Sequence, residues 1–198
     1  MKLLIATKNP GKIAEYRIIL KNLPLEFITL GDLNIEASVE EDGKTFEENA
    51  IKKAEFYSRL TGLPTLAEDG GIEIDYFNGE PGVKSRRWPG YEASDEELIN
   101  MTFEKLNEVP LEKRGAQLRV VIALAINSEI KTSEGVIRGI ILERPAKTTI
   151  PGYPFRSVFY IPTMKKVFAE MTEEEEMLVS HRKRAVKKLL PTIKKYLY

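Results

Sequence analysis

Apolar positions recur along the chain with spacings that predict both strands and helices. A buried strand is predicted over residues 1–6, followed by an amphipathic helix and a second strand at Glu26–Leu30. A further helix begins at Thr45, where Thr45 and Glu48 form a capping box, and its apolar stripe ends at Gly62. The first third of the chain is therefore predicted to alternate strand and helix.

The next apolar run, Leu66–Asp69, ends in two acids that two glycines follow, which predicts a strand, an acid pair and a turn at Gly70–Gly71. Beyond this turn, Ile72, Ile74 and Tyr76 alternate as a separate short strand. The later patterns predict an Asn78–Gly79 turn and then a helix capped by Ser94 and Glu97. They next predict a hairpin that pairs Gln117–Asn127 with Gly135–Glu143, and a strand at Ser157–Ile161. A last helix is predicted from about Thr172 to Tyr198, with an interruption at Pro191.

The adjacent carboxylates of Glu68 and Asp69 are a candidate metal site. Neighbouring acids repel each other, so a shared cation stabilises them, and Mg²⁺ typically takes one or two carboxylates together with substrate phosphates. The alternative is a solvated acidic turn, which this segment alone favours because acids and glycines are ordinary loop residues.

The loop Thr7–Lys12 is a candidate anion site. It offers a hydroxyl, an amide, backbone N–H groups and a lysine at the positive end of a helix dipole, which together suit a phosphate. Its glycine spacing differs from that of a Walker A loop. A simple helix cap is the alternative interpretation.

Composition limits the possible functions. The 198 residues, 42% hydrophobic and 30% charged, predict one globular domain over residues 1–198. Thirty basic and thirty acidic residues cancel, which disfavours binding to a nucleic acid polymer. Without cysteine there is no disulfide, zinc–thiolate site or thiol nucleophile. No apolar run is long enough to span a membrane, and we expect a cytoplasmic protein.

Five segments in order resemble the inosine/xanthosine triphosphate pyrophosphatase family. They are Ala6–Lys12, Thr45–Ala54, Ala67–Ile72, Pro81–Arg86, and Phe168–Met171 with Ser180–Arg182. The resemblance implies a single mixed α/β domain with a central twisted, elongated sheet, flanking helices and a substrate cleft between two lobes, and it implies a homodimer. It also implies hydrolysis of non-standard purine nucleoside triphosphates such as ITP, dITP and XTP to the monophosphate and pyrophosphate.

The resemblance suggests a role for each candidate residue. Asp69 would activate water with Mg²⁺, and the metal would be held by Asp69, Glu68 and one acid of Glu40–Glu41, of which Glu41 is the better positional match. Lys12, Lys53 and Lys166 would contact phosphate, and His181 and Arg182 the base. The full predicted substrate site is Thr7, Asn9, Lys12, Lys53, Gly70, Tyr153, Phe155, Arg156, Lys166, His181 and Arg182.

Two departures from the family pattern affect these expectations. The family usually carries an acid where this chain has Arg156, although Tyr153 and Phe155 keep a stacking surface. The usual Asp-Asp-Ser-Gly turn is Glu68-Asp69-Gly70-Gly71. Two alternatives therefore stay open. One is the same chemistry on a pyrimidine or modified nucleotide, as in the related Maf-type proteins, and the other is a nucleotide-binding regulator without turnover.

Overall fold

The computed structural model describes residues 2–196, whose strands form one mixed sheet. The elements are β1 (Lys2–Ile5), α1 (Pro10–Leu20), β2 (Glu26–Thr29), α2 (Phe46–Thr61), β3 (Thr65–Ile74), α3 (Asp95–Lys105), β4 (Gly115–Ile126), β5 (Glu129–Ile141), β6 (Phe159–Ile161), β7 (Lys166–Val167), α4 (Glu173–Val179) and α5 (His181–Lys195). Within the described residues the sheet order is β2-β1-β3-β4-β5-β6-β7. The predicted α/β class with a central sheet and flanking helices is confirmed.

The sheet combines a parallel and an antiparallel part. Strand β1 pairs in parallel with β2 and β3, whereas β6 pairs antiparallel with β5 and β7. Strands β4 and β5 form the predicted hairpin, and Asn127 and Ser128 between them have φ of 47° and 65°. Positive φ at both central residues is the geometry of a tight hairpin turn.

The chain forms two compact units, each with its own apolar core. The first unit comprises the chain up to Asp69, Val120–Gly135, and the chain from Arg182 onward. Its core includes Leu3, Tyr16, Leu66, Ile122 and Leu189. The second unit comprises Gly70–Arg119 and Val136–His181, and its core includes Ile72, Ile74, Leu98, Ile137 and Phe159. The single domain over residues 1–198 and the cleft between two lobes stay predictions.

Helix ends follow the capping residues closely. Ser94 and Glu97 form the predicted capping box of α3, and α2 ends at Gly62 in the left-handed conformation. At the start of α2 the Thr45 side chain accepts from the Glu48 N–H as predicted, but the Glu48 carboxylate accepts from the N–H of Lys44, one residue before the cap. The reciprocal bond predicted for Thr45 and Glu48 is thus displaced by one residue.

The turn predicted at Gly70–Gly71 is wrong, because β3 runs unbroken from Thr65 to Ile74. Gly71 is required by close packing and not by a bend. A Cβ at Gly71 would lie 2.8 Å from the carbonyl oxygen of Gly82 and 2.7 Å from Cβ of Ser85. The predicted second strand through Tyr76 is therefore the end of β3, and Tyr76 follows it in a 3₁₀ turn.

The break in the C-terminal helical region also differs from the prediction. Ser180, with φ −51° and ψ 118°, leaves the helical conformation and separates α4 from α5. Pro191 lies inside α5, which continues to Lys195. The N-terminus of α4 is fixed by a capping box between Thr172 and Glu175. Over residues 2–196, no helix has both the length and the apolar character needed to cross a membrane.

Candidate functional site

In the first unit, the loop between β1 and α1 is shaped by its own polar side chains. Asn9 caps α1, and its Oδ1 accepts from the Lys12 N–H at 3.2 Å. The Thr7 hydroxyl accepts from the Asn9 N–H at 3.2 Å. Both side chains therefore fix the entry into the helix, where backbone N–H groups and the helix dipole favour an anion. Substrate contacts by Thr7 and Asn9 stay a prediction.

Glu68, the first residue of the Glu68–Asp69 pair, is buried and surrounded by hydrogen-bond donors. Its Oε1 accepts from Arg182 Nη2 at 2.8 Å and lies 2.9 Å from Lys12 Nζ. Its Oε2 accepts from Arg182 Nε at 2.8 Å and from the Tyr16 hydroxyl. Only 3% of Glu68 is exposed. Burial alone would raise the pKa of Glu68, but Arg182 and Lys12 beside it hold that pKa well below its ordinary value.

Arg182 bridges two acids of the first unit. Its Nη1 donates to the carboxylate of Glu15 at 3.0 Å, while Nε and Nη2 donate to Glu68. Each of its three nitrogens therefore contacts a carboxylate, and Arg182 is 5% exposed. The structure shows Arg182 as an anchor for Glu15 and Glu68, and base contact by Arg182 stays a prediction.

Asp69 has a different environment from its neighbour Glu68. Its Oδ2 accepts from Asn49 Nδ2 at 2.8 Å, and its Oδ1 lies 3.9 Å from Lys53 Nζ. The Lys53 ammonium also lies 2.7 Å from Glu41 Oε2. Burial raises the pKa of Asp69, and the Lys53 charge and the Asn49 hydrogen bond oppose that rise. A carboxylate with a raised pKa is a better proton acceptor than an ordinary one.

The predicted set of three metal ligands fits only in part. Glu68 does not fit, because two donors already face each of its oxygens and a carboxylate has about four lone-pair sites. Glu41 Oε2 and Asp69 Oδ1 lie 2.7 and 3.9 Å from the Lys53 ammonium, so a metal ion held by these two carboxylates would share them with Lys53. Across residues 2–196 there is no group of three or more His, Cys, Asp or Glu side chains that could hold a metal ion.

In the second unit, Arg156 lies between two aromatic rings. Its guanidinium carbon is 4.1 Å from the Tyr153 ring centre and 4.5 Å from that of Phe168. Arg156 Nη1 donates to Glu176 Oε2 at 2.9 Å, and Arg156 is 6% exposed. The cation–π contacts and the ion pair together fix the guanidinium plane. Phe155, predicted with Tyr153 as a stacking surface, is buried in the core of this unit.

Three further residues of the predicted substrate site, Gly70, Lys166 and His181, lie in the second unit. Lys166 Nζ donates to Glu175 Oε1 at 2.6 Å, so its ammonium is held by an acid of α4. His181 is buried at the first residue of α5, and Gly70 lies inside β3. Phosphate contact by Lys166, base contact by His181 and substrate contact by Gly70 stay predictions.

The sequence interpretation assigned no role to several residues of these clusters. Asn49 lies one helical turn before Lys53 on α2, so the i, i+4 spacing places both on one face of that helix. Glu176 lies in an acidic run that was given no site role. The unassigned residues are Glu15, Tyr16, Asn49, Phe168 and Glu176.

Comparisons with known proteins give a consistent result. The model of the Ham1 family matches residues 3–192. The chain is 39% identical over 196 residues to the dITP/XTP pyrophosphatase of Yersinia pseudotuberculosis serotype I, with 98% of both chains covered. It is 41% identical over 186 residues to the dITP/XTP pyrophosphatase of Geobacter sulfurreducens, with 93% of this chain and 92% of the relative covered. The structure of a HAM1 protein from Coxiella burnetii has a TM-score of 0.86 and 34% identity, covering 98% of this chain and 99% of that one.

Proposed function

The chain belongs to the Ham1 family, and from this premise we propose that it hydrolyses non-standard purine nucleoside triphosphates, with dITP, ITP and XTP as substrates. The products are the nucleoside monophosphate and pyrophosphate. One observation of the first unit carries the proposal: the Glu68–Asp69 segment lies against Lys12 at the N-terminus of α1 and Lys53 on α2. This arrangement combines a candidate base with cations suited to a phosphate chain.

Hydrolysis requires positioning and charge stabilisation more than covalent participation of the protein. A water oxygen bonds to the α-phosphorus, the bond from the α-phosphorus to the α–β bridging oxygen breaks, and pyrophosphate leaves. We assign Asp69 to orient this water and accept its proton, since burial raises the pKa of that carboxyl. Lys12 and Lys53 would stabilise the negative charge on the phosphates.

Magnesium is part of the proposal. Glu41 and Asp69 would hold it, because these two carboxylates face a common point beside Lys53. Bound Mg²⁺ would neutralise the phosphate oxygens and align the substrate. The resemblance to the pyrophosphatase family also suggests a homodimer, which light scattering of the purified protein tests, and the sequence predicts a cytoplasmic location.

The decisive experiment measures pyrophosphate release from ITP, dITP, XTP, ATP, GTP and dTTP in the presence of Mg²⁺. We expect the deaminated purines to be hydrolysed with the highest kcat/KM and to yield pyrophosphate and monophosphate in equal amounts. Highest activity on dTTP would favour the Maf-type alternative. Binding without release from any nucleotide would favour the regulator. Release of inorganic phosphate alone would contradict cleavage between the α and β phosphates.

A further inference from the structure

Asn49 is a buried amide that uses both ends of its side chain. It is 1% exposed and lies in the first turn of α2. Its Nδ2 donates to Asp69 Oδ2 at 2.8 Å, and its Oδ1 accepts from the backbone N–H of Gly43, also at 2.8 Å. A donor on one side and an acceptor on the other fix the orientation of the amide. Asn49 therefore links Asp69 on β3 to Gly43 in the loop before α2.

Gly43 is packed against this amide. A Cβ at Gly43 would lie 2.6 Å from Asn49 Oδ1 and 2.9 Å from Cβ of Glu48. Real Cβ atoms essentially never show contacts below 3.0 Å, so any larger residue at this position would have to displace the loop or the amide. The absence of a side chain at Gly43 thus lets the loop backbone approach Asn49.

This bridge lies beside the two carboxylates that would hold the metal. Glu41 is two residues before Gly43 on the same loop, and Asp69 accepts directly from Asn49. One turn later on α2, Lys53 contacts Glu41 and Asp69. Lys53 is a basic residue that contacts both carboxylates, whereas Asn49 is neutral and enclosed.

We propose that Asn49 is a positioning residue for the hydrolytic reaction, fixing the Glu41 loop through Gly43 and the carboxylate of Asp69 at the same time. The proposal rests on the function proposed above. Asn49 does not meet the substrate in this scheme. Its effect on turnover comes from the place it gives to Asp69 and Glu41, and a displacement of about 1 Å in such a group can cost about a hundredfold in rate.

Two variants break the bridge at different ends. Asn49→Asp has nearly the same shape and keeps an acceptor for the Gly43 N–H, but it loses the donor to Asp69. Gly43→Ala keeps Asn49 and forces its Oδ1 or the loop to move. We expect either variant to lower kcat by about tenfold to a hundredfold, with a much smaller change in KM, because the phosphate and base contacts remain.

Matched controls separate this effect from general damage. Gly31→Ala changes a glycine of the same loop whose added Cβ would meet only Thr29 Oγ1, at an ordinary 3.7 Å. Asn100→Asp makes the same charge change at an exposed position on α3. Both should keep kcat within about twofold of the parent, as expected for positions away from packed or bonded groups. Thermal unfolding of every variant checks that the fold is retained.

The double variant Asn49→Asp with Gly43→Ala gives the sharpest test. If the two residues act as one bridge, the double variant should lose little more than the worse single variant, since residues acting as a unit are non-additive. Losses that multiply, or single variants with parental kcat, would overturn the proposal. So would a fall in kcat that only follows a fall in thermal stability.

A measurement without substrate keeps this inference separate from the proposed function. Amide exchange of Gly43, followed by NMR, should be slow in the parent and in Asn49→Asp, and fast in Asn49→Ala, which lacks the acceptor. Rapid exchange in the parent would show that the bridge does not form. An enzyme inactive on every nucleotide, with a protected Gly43 amide that Asn49→Ala exposes, would instead contradict the proposed function and leave the bridge in place.

Discussion

Arg182 and Glu68 form a bidentate ion pair, in which Arg182 Nε and Nη2 donate to different carboxylate oxygens of Glu68, each at 2.8 Å. The two residues are 114 positions apart in the chain. Glu15 and Lys12 complete the cluster, so two carboxylates face two cations; Glu15, Glu68 and Arg182 are buried, and the Lys12 side chain is 24% exposed. Removing one partner of such a pair leaves an uncompensated buried charge, which typically costs about 3–5 kcal/mol.

We therefore expect Glu68→Gln to destabilise the protein by about 3–5 kcal/mol near neutral pH. The pKa of Glu68 is depressed in the folded state, so its stabilisation is present above the unfolded value of about 4.3 and is lost as the pH falls through the folded value. The difference in unfolding free energy between parent and variant should thus shrink on acidification. Urea denaturation between pH 7 and pH 3, with a chelator present, measures it.

Glu174→Gln is the matched control, because Glu174 is an exposed acid of α4. It should change the unfolding free energy by less than about 0.5 kcal/mol. If Glu68 were instead an unpaired metal ligand, Glu68→Gln in chelator would relieve repulsion and stabilise the protein. That outcome, or a difference that grows as the pH falls, would contradict the assignment of Glu68 to the ion-pair cluster.

Asp69→Asn should retain the fold and lose turnover by at least about a hundredfold, because the nearly isosteric amide cannot accept the proton of the attacking water. Steady-state hydrolysis of ITP and a thermal unfolding curve test the two parts separately. The exposed acid variant Glu174→Gln again serves as control and should have parental kcat. Near-parental turnover of Asp69→Asn would show that Asp69 has no role in the mechanism. Full activity in excess chelator would show that the reaction needs no metal ion.

Removing the charge of Lys53 should weaken binding of the triphosphate much more than binding of the nucleoside. The reason is that, of the parts of the substrate, Lys53 is proposed to contact only the phosphates. Lys53→Met keeps the aliphatic part of the side chain, and Lys52→Met is a natural control because Lys52 is adjacent, more exposed and paired with Asp42. Calorimetric titration of the Asp69→Asn background with ITP and inosine compares the two ligands. Equal loss of affinity for both would show that the phosphate contact is wrongly assigned. Lys12→Met is expected to behave like Lys53→Met.

Local signals in the sequence predict much of the fold. The caps at Ser94 and Gly62 and the entry into α1 at Asn9 each depend on residues within a few positions of one another. Such bonds form wherever the segment is helical, so the sequence alone locates them. The order of strands and helices follows from the same local periodicities.

Features decided by distant packing were not predictable in this way. Gly70–Gly71 suggests a turn locally, but the approach of Ser85 and Gly82 keeps the strand extended and excludes a side chain at Gly71. The role of Glu68 was likewise set by Arg182, from the other end of the chain. The acid pair predicted the position of the candidate site, whereas tertiary contacts give its two carboxylates different environments.

Arg156 is one of the two places where the chain departs from the family pattern, and its contacts hold its guanidinium in place. Tyr153 and Phe168 lie against the guanidinium, and Glu176 binds Nη1. A guanidinium has five N–H donors and no acceptor, so Arg156 can only donate a hydrogen bond to a base that it meets. Such a group favours the oxo edge of hypoxanthine or xanthine and disfavours the amino edge of adenine.

We expect the parent enzyme to prefer ITP or XTP over ATP. Arg156→Ala should reduce that preference by about tenfold or more. A tenfold change corresponds to about 1.4 kcal/mol, which is the order of one hydrogen bond to a charged group. The change should appear as a loss of kcat/KM for ITP with little change for ATP, since adenine offers the arginine no acceptor at that edge. Arg144→Ala, at an exposed position, is the control and should keep the parental ratio. A parent that hydrolyses ATP as well as ITP would refute the selectivity, and an unchanged ratio in Arg156→Ala would show that Arg156 does not read the base.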